Sequence, residues 1–274
     1  MTPQTVHSEV GPLGAASYHV AMPTVARFNL TPVKSTSLQH PDQVFLGERG
    51  VDVDRRFLFV DPDGRRVSDA AKAPLLGIVA RYDQGSERLA LRFPDGTECE
   101  GDACALGRPM PVALYDRTVS ARPVSGPFSS AVSAHAGRDL RLVRVELPES
   151  AGGSHRVSIV SVGSVEDIGH QGGRDALDAR RFRMLVEVEG CDPYEEDAWS
   201  GRRIRLGGAV VRVGDSIPRC VVTTLDPDGG RPDFPTLEVL AEHRKREGGL
   251  MLGVYGDVEQ PGPVRVGDPV EVLG

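Results

Sequence analysis

Short apolar runs alternate with clusters of Gly, Pro and Asp along most of the chain. This spacing predicts strands joined by tight turns rather than strands alternating with long helices. Strands are expected at 25–30, 57–60, 89–93, 141–145, 158–162, 184–188, 203–206, 210–213, 220–225 and 270–273. Pro62-Asp63-Gly64 and Pro94-Asp95-Gly96 each read as a turn, in which Pro fixes φ and Gly takes a positive φ. Helices are few. One spans 128–135 and ends at Gly137, where glycine suits a C-cap. Another is short, opened by Ser164 as its cap and running to 168. A third covers 236–246, opened by Asp233 and Pro235 and closed by Arg244, Lys245 and Arg246. The pattern is that of barrels or sandwiches, a mainly β chain with a minor α component.

Periodicity fails over 118–127, and a boundary there divides 24–122 from 123–274. The first 23 residues are small, polar and rich in Gly and Pro, and read as a mobile extension without the basic start and apolar stretch of a secretory signal. No apolar run is long enough to span a membrane, so a cytoplasmic protein is expected.

Composition narrows the partners. A net charge of −7 in 274 residues does not suit a nucleic-acid or anionic-membrane binder, so any bound anion needs a local basic cluster. Lysine occurs only at Lys34, Lys72 and Lys245, and the other cations are arginines. Four cysteines, Cys99, Cys104, Cys191 and Cys220, make neither a disulfide framework nor a zinc-ligand spacing, and each taken alone is a small apolar residue.

Four stretches carry candidate chemistry: Thr31-Pro32-Val33-Lys34-Ser35, Gly50 through Phe57 with Asp54-Arg55-Arg56, Leu177-Asp178-Ala179-Arg180-Arg181-Phe182-Arg183, and Pro218-Arg219-Cys220-Val221-Val222-Thr223-Thr224-Leu225-Asp226-Pro227. A turn offering amides, a hydroxyl and a cation suits a phosphate, and it is equally an ordinary solvated turn. Arg55 is a ligand contact or the ion-pair partner of Asp54 or Asp52. On a strand, Arg181 and Arg183 would face one way and Arg180 the other, so at least one belongs to a scaffold ion pair. Ser164 caps a helix with or without a ligand.

In this order and spacing the four stretches resemble the N-terminal β-barrel and MOSC domains of the amidoxime-reducing family. Asp197-Ala198-Trp199 and the ending Gly262-Pro263-Val264-Arg265-Val266-Gly267-Asp268 support this, and the resemblance covers roughly 24–274. It implies two packed β-barrel domains with a molybdenum cofactor, a pyranopterin bearing a phosphate, between them. By the same resemblance Cys220 is the protein ligand to molybdenum, a soft thiolate for a soft metal, with Arg219 beside it to favour the ionised thiol. Lys34, Ser35, Arg55, Ser164, Arg180, Arg181 and Arg183 fall where the family contacts its cofactor. The implied activity is reduction of N-hydroxylated or related N–O substrates. Because the chain ends at Gly274 without an iron–sulfur cysteine cluster, the electrons are expected from a separate ferredoxin, flavodoxin or haem protein with its reductase.

Two departures stand out. Met184-Leu185 replaces the family's Pro-Asn, and Val67 through Pro74 lacks the family's arginine. They keep two other functions in view: sulfur transfer or C–S chemistry at Cys220, including a biosynthetic enzyme without molybdenum, and a non-catalytic carrier of the cofactor.

Overall fold

A computed structural model describes residues 22–67, 73–114, 117–152 and 155–274. The expected extension up to residue 21, and 68–72 of the stretch that departs from the family before Pro74, lie outside the described residues.

The chain is mainly β, as its patterning predicts. Its largest sheet runs in the order Thr24–Phe28, Val186–Glu189, Val157–Ser161, Gly249–Gln260, Ala209–Pro218, Arg203–Leu206 and Val270–Leu273, with Lys245–Arg246 pairing beside the long central strand. The two ends of this order nearly meet: Val25 N donates to Asp268 O at 2.9 Å and Val270 N to Pro23 O at 2.7 Å. Curling the sheet into a near-barrel satisfies backbone groups that an open edge would expose. Val25, Phe28, Ile159, Val186, Val211 and Val254 fill the inside. The pair Gln43–Leu46 and Gly262–Arg265 closes one end, sending Val44, Leu46 and Val264 into the same core.

A second group of strands forms a half-barrel. Four strands run in the order Phe57–Val60, Arg141–Val145, Arg117–Pro123 and Met110–Leu114, and three more in the order Val79–Asp83, Arg88–Arg92 and Glu98–Asp102. Phe57–Val60 is an unbroken apolar run because both its faces are covered: Phe57 and Phe59 join one core, Leu58 and Val60 another. The helix Phe128–Ala136 ends on Gly137 at φ 63°, the left-handed cap expected of glycine there. The half-barrel draws its strands from 57–145, whereas Thr24–Phe28, earlier in the chain, belongs to the large sheet.

Three expected elements differ, and the stretch Ala179–Phe182, given no element from its pattern, takes a defined turn. Cys220–Leu225 is not a strand: pairing stops at Pro218, and Val221–Thr224 is a 3-10 turn. Threonine hydroxyls hold that turn by bonding back three residues, Thr223 Oγ1 to Cys220 O at 2.9 Å and Thr224 Oγ1 to Val221 O at 2.7 Å. Ala179–Phe182 is likewise a 3-10 turn, opened by the Asp178 carboxylate accepting from Arg180 N at 2.9 Å. The helix expected to open at Ser164 spans Val162–Gln171, and Ser161 caps it, accepting from Ser164 N at 3.0 Å. The last helix is shorter than expected, Thr236–His243, because Lys245–Arg246 turns back to pair with the long strand.

Candidate cofactor cleft

Three turns converge on one cleft. The turn at Val33–Thr36 is pinned to the half-barrel by Lys34 N donating to Phe57 O (2.8 Å) and Phe57 N to Pro32 O (2.9 Å). The Asp54 carboxylate ties it to the next loop by accepting from Thr31 N at 2.9 Å. Arg55 pairs with Asp54 and donates from Nη2 to Arg183 O at 2.9 Å. Arg183 in turn donates from Nη2 to Thr36 O at 2.7 Å. The segment 179–184 is the hub: it meets the Lys34 turn through Arg183, and the Cys220 loop through two further arginines. Arg181 donates to Thr223 O (3.2 Å), and Arg219 donates to Phe182 O and to Met184 Sδ (3.3 Å).

The space these turns enclose measures about 640 Å³, and Lys34, Ser35, Arg55, Arg181, Arg183, Arg219 and Cys220 all line it. Cys220 is exposed, not a core residue. Cationic side chains on the lining are Lys34, Arg49, Arg55, Arg156, Arg181, Arg183 and Arg219, against Asp54 as the carboxylate. A chain of net charge −7 thus concentrates positive charge in one cavity, as an anionic ligand requires.

Backbone conformation singles out the same place. Among the described residues Ser35 (φ 73°), Arg55 (φ 48°), Glu87, Arg183 (φ 55°) and Tyr194 are the non-glycines with positive φ. Three of these five line the cleft. A left-handed residue with a Cβ costs about 1 kcal/mol or more and persists where the surroundings demand it, which is characteristic of binding sites.

The predicted site residues do not all share this role. Arg181 is 2% exposed and lies on the cleft wall. Its guanidinium is committed to a bidentate pair with Asp233, at 3.0 and 3.1 Å, stacked against Phe234. Burial alone would raise the Asp233 pKa, but hydrogen bonds from Arg181 and Arg174 outweigh it and hold the carboxyl below its ordinary range. Arg180 lies outside the cleft, paired with Asp178 at 2.6 Å and Asp228 at 2.7 Å. Hydrogen bonds to Asp228 and then Asp178 keep it firmly charged. Ser164 is fully buried away from the cleft, donating to Glu196 Oε2 at 2.9 Å and accepting from Tyr194 N at 2.7 Å. Met184 and Leu185 are each 2% exposed, so this segment offers apolar surface where the family pattern has an amide side chain.

Residues that sequence reasoning passed over also reach the cleft: Arg49, His155, Arg156, Ser158 and Tyr255. None belongs to a motif with chemistry of its own; pairing of the strand Val157–Ser161 with Gly249–Gln260 brings in His155, Arg156, Ser158 and Tyr255, and the loop packed on Arg156 brings in Arg49. Among the described residues no cluster of three or more His, Cys, Asp or Glu side chains is placed to hold a metal ion, and no helix is long and apolar enough to cross a membrane.

A near-barrel and a half-barrel border a basic cleft that presents a single thiol. The MOSC domain family model matches residues 134–271, half of the chain, and the chain belongs to that family. Mitochondrial amidoxime-reducing component 1 of Mus musculus is 29% identical over 285 residues, covering 92% of this chain and 82% of that protein. Component 2 of Bos taurus is 25% identical, covering 90% and 82%. Component 2 of Homo sapiens is 39% identical over 98 residues, which cover 32% of this chain and 29% of that protein. Among solved structures, the YUAD protein from Bacillus subtilis aligns with a TM-score of 0.48 at 15% identity, covering 92% of this chain and 96% of that one.

Proposed function

We propose that this protein is a molybdenum-cofactor-dependent reductase of N-hydroxylated or related N–O compounds, with Cys220 as the protein ligand to the metal. The observation that carries the reading is the placing of one exposed thiol on the wall of a cavity otherwise rich in cations. A thiolate suits a soft metal. With no other protein ligands gathered among the described residues, a metal at Cys220 takes its remaining ligands from a cofactor, as a dithiolene-bearing pyranopterin provides. The names of the relatives, amidoxime-reducing components, agree with the reaction class.

Ser35, Lys34, Arg55 and Arg183 would hold the anionic part of the cofactor, with Ser35, Arg55 and Arg183 held in left-handed backbone conformations. Arg181 positions the Cys220 loop through Thr223 O and does not itself bind. Arg180 and Ser164 are assigned to the scaffold. Bound here, the cofactor supplies two-electron redox chemistry. In the overall reaction the N–O bond breaks as two electrons and two protons are consumed: for an N-hydroxylated compound, nitrogen gains the electron pair and one proton, and the hydroxyl takes the other and leaves as water. Electrons come from a separate donor such as a ferredoxin, flavodoxin or haem protein with its reductase. We take the large sheet and the half-barrel as the two units that meet at the cleft; the expected division into 24–122 and 123–274 falls inside the strand Arg117–Pro123, and Thr24–Phe28 joins the large sheet.

The test is metal analysis with a pterin fluorescence assay on wild type and Cys220→Ala. Molybdenum and pterin are expected in the wild type, with metal lost in the variant. Stability should change by less than about 0.5 kcal/mol, because the side chain is exposed. Equal metal content in both proteins would end the assignment. The same exposed thiol favours a second reading, sulfur transfer through a Cys220 persulfide. Mass spectrometry after incubation with a sulfur donor separates the two, since a thiol that stays unmodified speaks against it.

A further inference from the structure

The lining of the cleft also includes Arg49, His155 and Arg156, which the reductase reading does not use. Along the strand Gly249–Gln260, Pro218 pairs with Met251, whereas Arg156 N donates to Gly256 O at 3.2 Å. Five residues at ~3.3 Å each separate these levels, so the Arg156 end lies about 16 Å along the strand from the Cys220 loop. There the His155 ring stacks on Tyr255 with centroids 4.7 Å apart. Its Nδ1 lies 3.0 Å from Asp257 Oδ2, and the other oxygen of Asp257 accepts from Arg156 N at 3.3 Å. One exposed carboxylate therefore fixes both residues through ring and backbone.

It does not neutralise the Arg156 guanidinium. Among the described residues no carboxylate lies within ion-pairing reach of that group, and its Nη1 is shielded from solvent without a hydrogen-bond partner. A shielded cationic donor is costly unless an acceptor meets it. By contrast, Arg181, Arg55 and Arg49 on the same lining each have an aspartate. The loop carrying Arg49 packs down on Arg156: Gly50 is at φ 82°, and a Cβ there would sit 2.7 Å from Arg156 O. Glycine is thus required for the close approach.

We propose that Arg156, with Arg49 and His155, forms an oxyanion subsite at the end of the cleft remote from Cys220. It takes a carboxylate or phosphate carried by whatever molecule fills the cleft. Two sources offer that chemistry: an acidic group on the substrate, or a further phosphate on the cofactor's tail. The choice between them rests on the reductase reading, and the subsite itself does not.

The full-length protein, with its cofactor content measured, is titrated with inorganic phosphate by calorimetry as wild type, Arg156→Met and Arg156→Lys. Each comparison is repeated in a Lys34→Met background to remove the other cationic seat. Losing a charge-assisted contact should weaken binding about tenfold or more in Arg156→Met, while Arg156→Lys keeps most of it and both melt as the wild type does. Cys220→Ala should bind phosphate normally, so absence of molybdenum would sink the reductase reading and leave the subsite standing. If molybdenum and pterin fall in Arg156→Met, the anion is the cofactor's. If they hold, and KM rises for a carboxylate-bearing N-hydroxylated substrate but not for its neutral amide, the anion is the substrate's. Unchanged phosphate affinity in Arg156→Met overturns the proposal. So does lost phosphate binding with cofactor content and both KM values unmoved, which would mark adventitious binding only.

Discussion

Single residues here divide by what their charge meets. Arg181 and Arg180 meet aspartates and hold the scaffold; Lys34, Arg55 and Arg183 also bond main-chain carbonyls and crowd one cavity. Glu196 shows the cost of a carboxyl without a cation. It is fully buried, and burial raises its pKa above the ordinary 4.5, although hydrogen bonds from Ser164 and the Ser161 amide pull the other way. The folded state therefore binds this proton more tightly than the unfolded chain. That contribution to stability is complete below pH 4.5 and is lost as pH rises through the folded value. Asp178 and Asp233, held low, act in a separate window below their ordinary 3.8. Glu196→Gln should therefore lose less stability than the wild type as pH rises above 4.5 in urea unfolding. The same loss in both proteins would remove Glu196 as its source.

Among the elements, two 3-10 turns matter more than any strand. Val221–Thr224 replaces an expected strand and Ala179–Phe182 leads into another, and the two turns lift Cys220 and Arg183 off the sheet and into the cleft. Arg181 bolts one turn to the other through Thr223 O and to Asp233 beyond. Arg181→Met should cost about 2–3 kcal/mol, below the range for a fully buried pair because Arg174 still faces Asp233. It should also loosen Cys220, read as faster alkylation of that thiol under native conditions. A stability loss with unchanged alkylation would mean that the brace does not reach the cysteine. These turns were not legible in the sequence. Phe-Arg-Met-Leu-Val and Cys-Val-Val-Thr-Thr-Leu are apolar and β-branched enough to read as strands. What stops them is Pro218, which ends the pairing, and side chains of Asp178, Thr223 and Thr224 that bond locally to the backbone instead.

For the molecule as a whole, the large sheet is completed by a strand from the far N-terminal side of the expected boundary. Thr24–Phe28 pairs with Val186–Glu189, and Gln43–Leu46 with Gly262–Arg265. A fragment comprising 123–274 would expose the Val186–Glu189 edge and uncover the core beneath Val44 and Leu46. Such a fragment should fail to give the far-UV circular dichroism and monomeric elution of the full chain. Cooperative folding of the fragment alone would show that these strands are dispensable. Local patterning by itself determined the β class, about half of the strand positions and the Gly137 cap, because period-two burial and turn chemistry are written in adjacent residues, while the stretches that hold Cys220, Lys34, Ser35, Arg55 and Arg183 stood out through the family resemblance. Only the tertiary structure decided which arginines are spent on aspartates, that Ser164 is sealed with Glu196, and that Arg156 and His155 share a cavity with Cys220. Those outcomes depend on contacts between residues far apart in the chain, whose pairing no local spacing encodes.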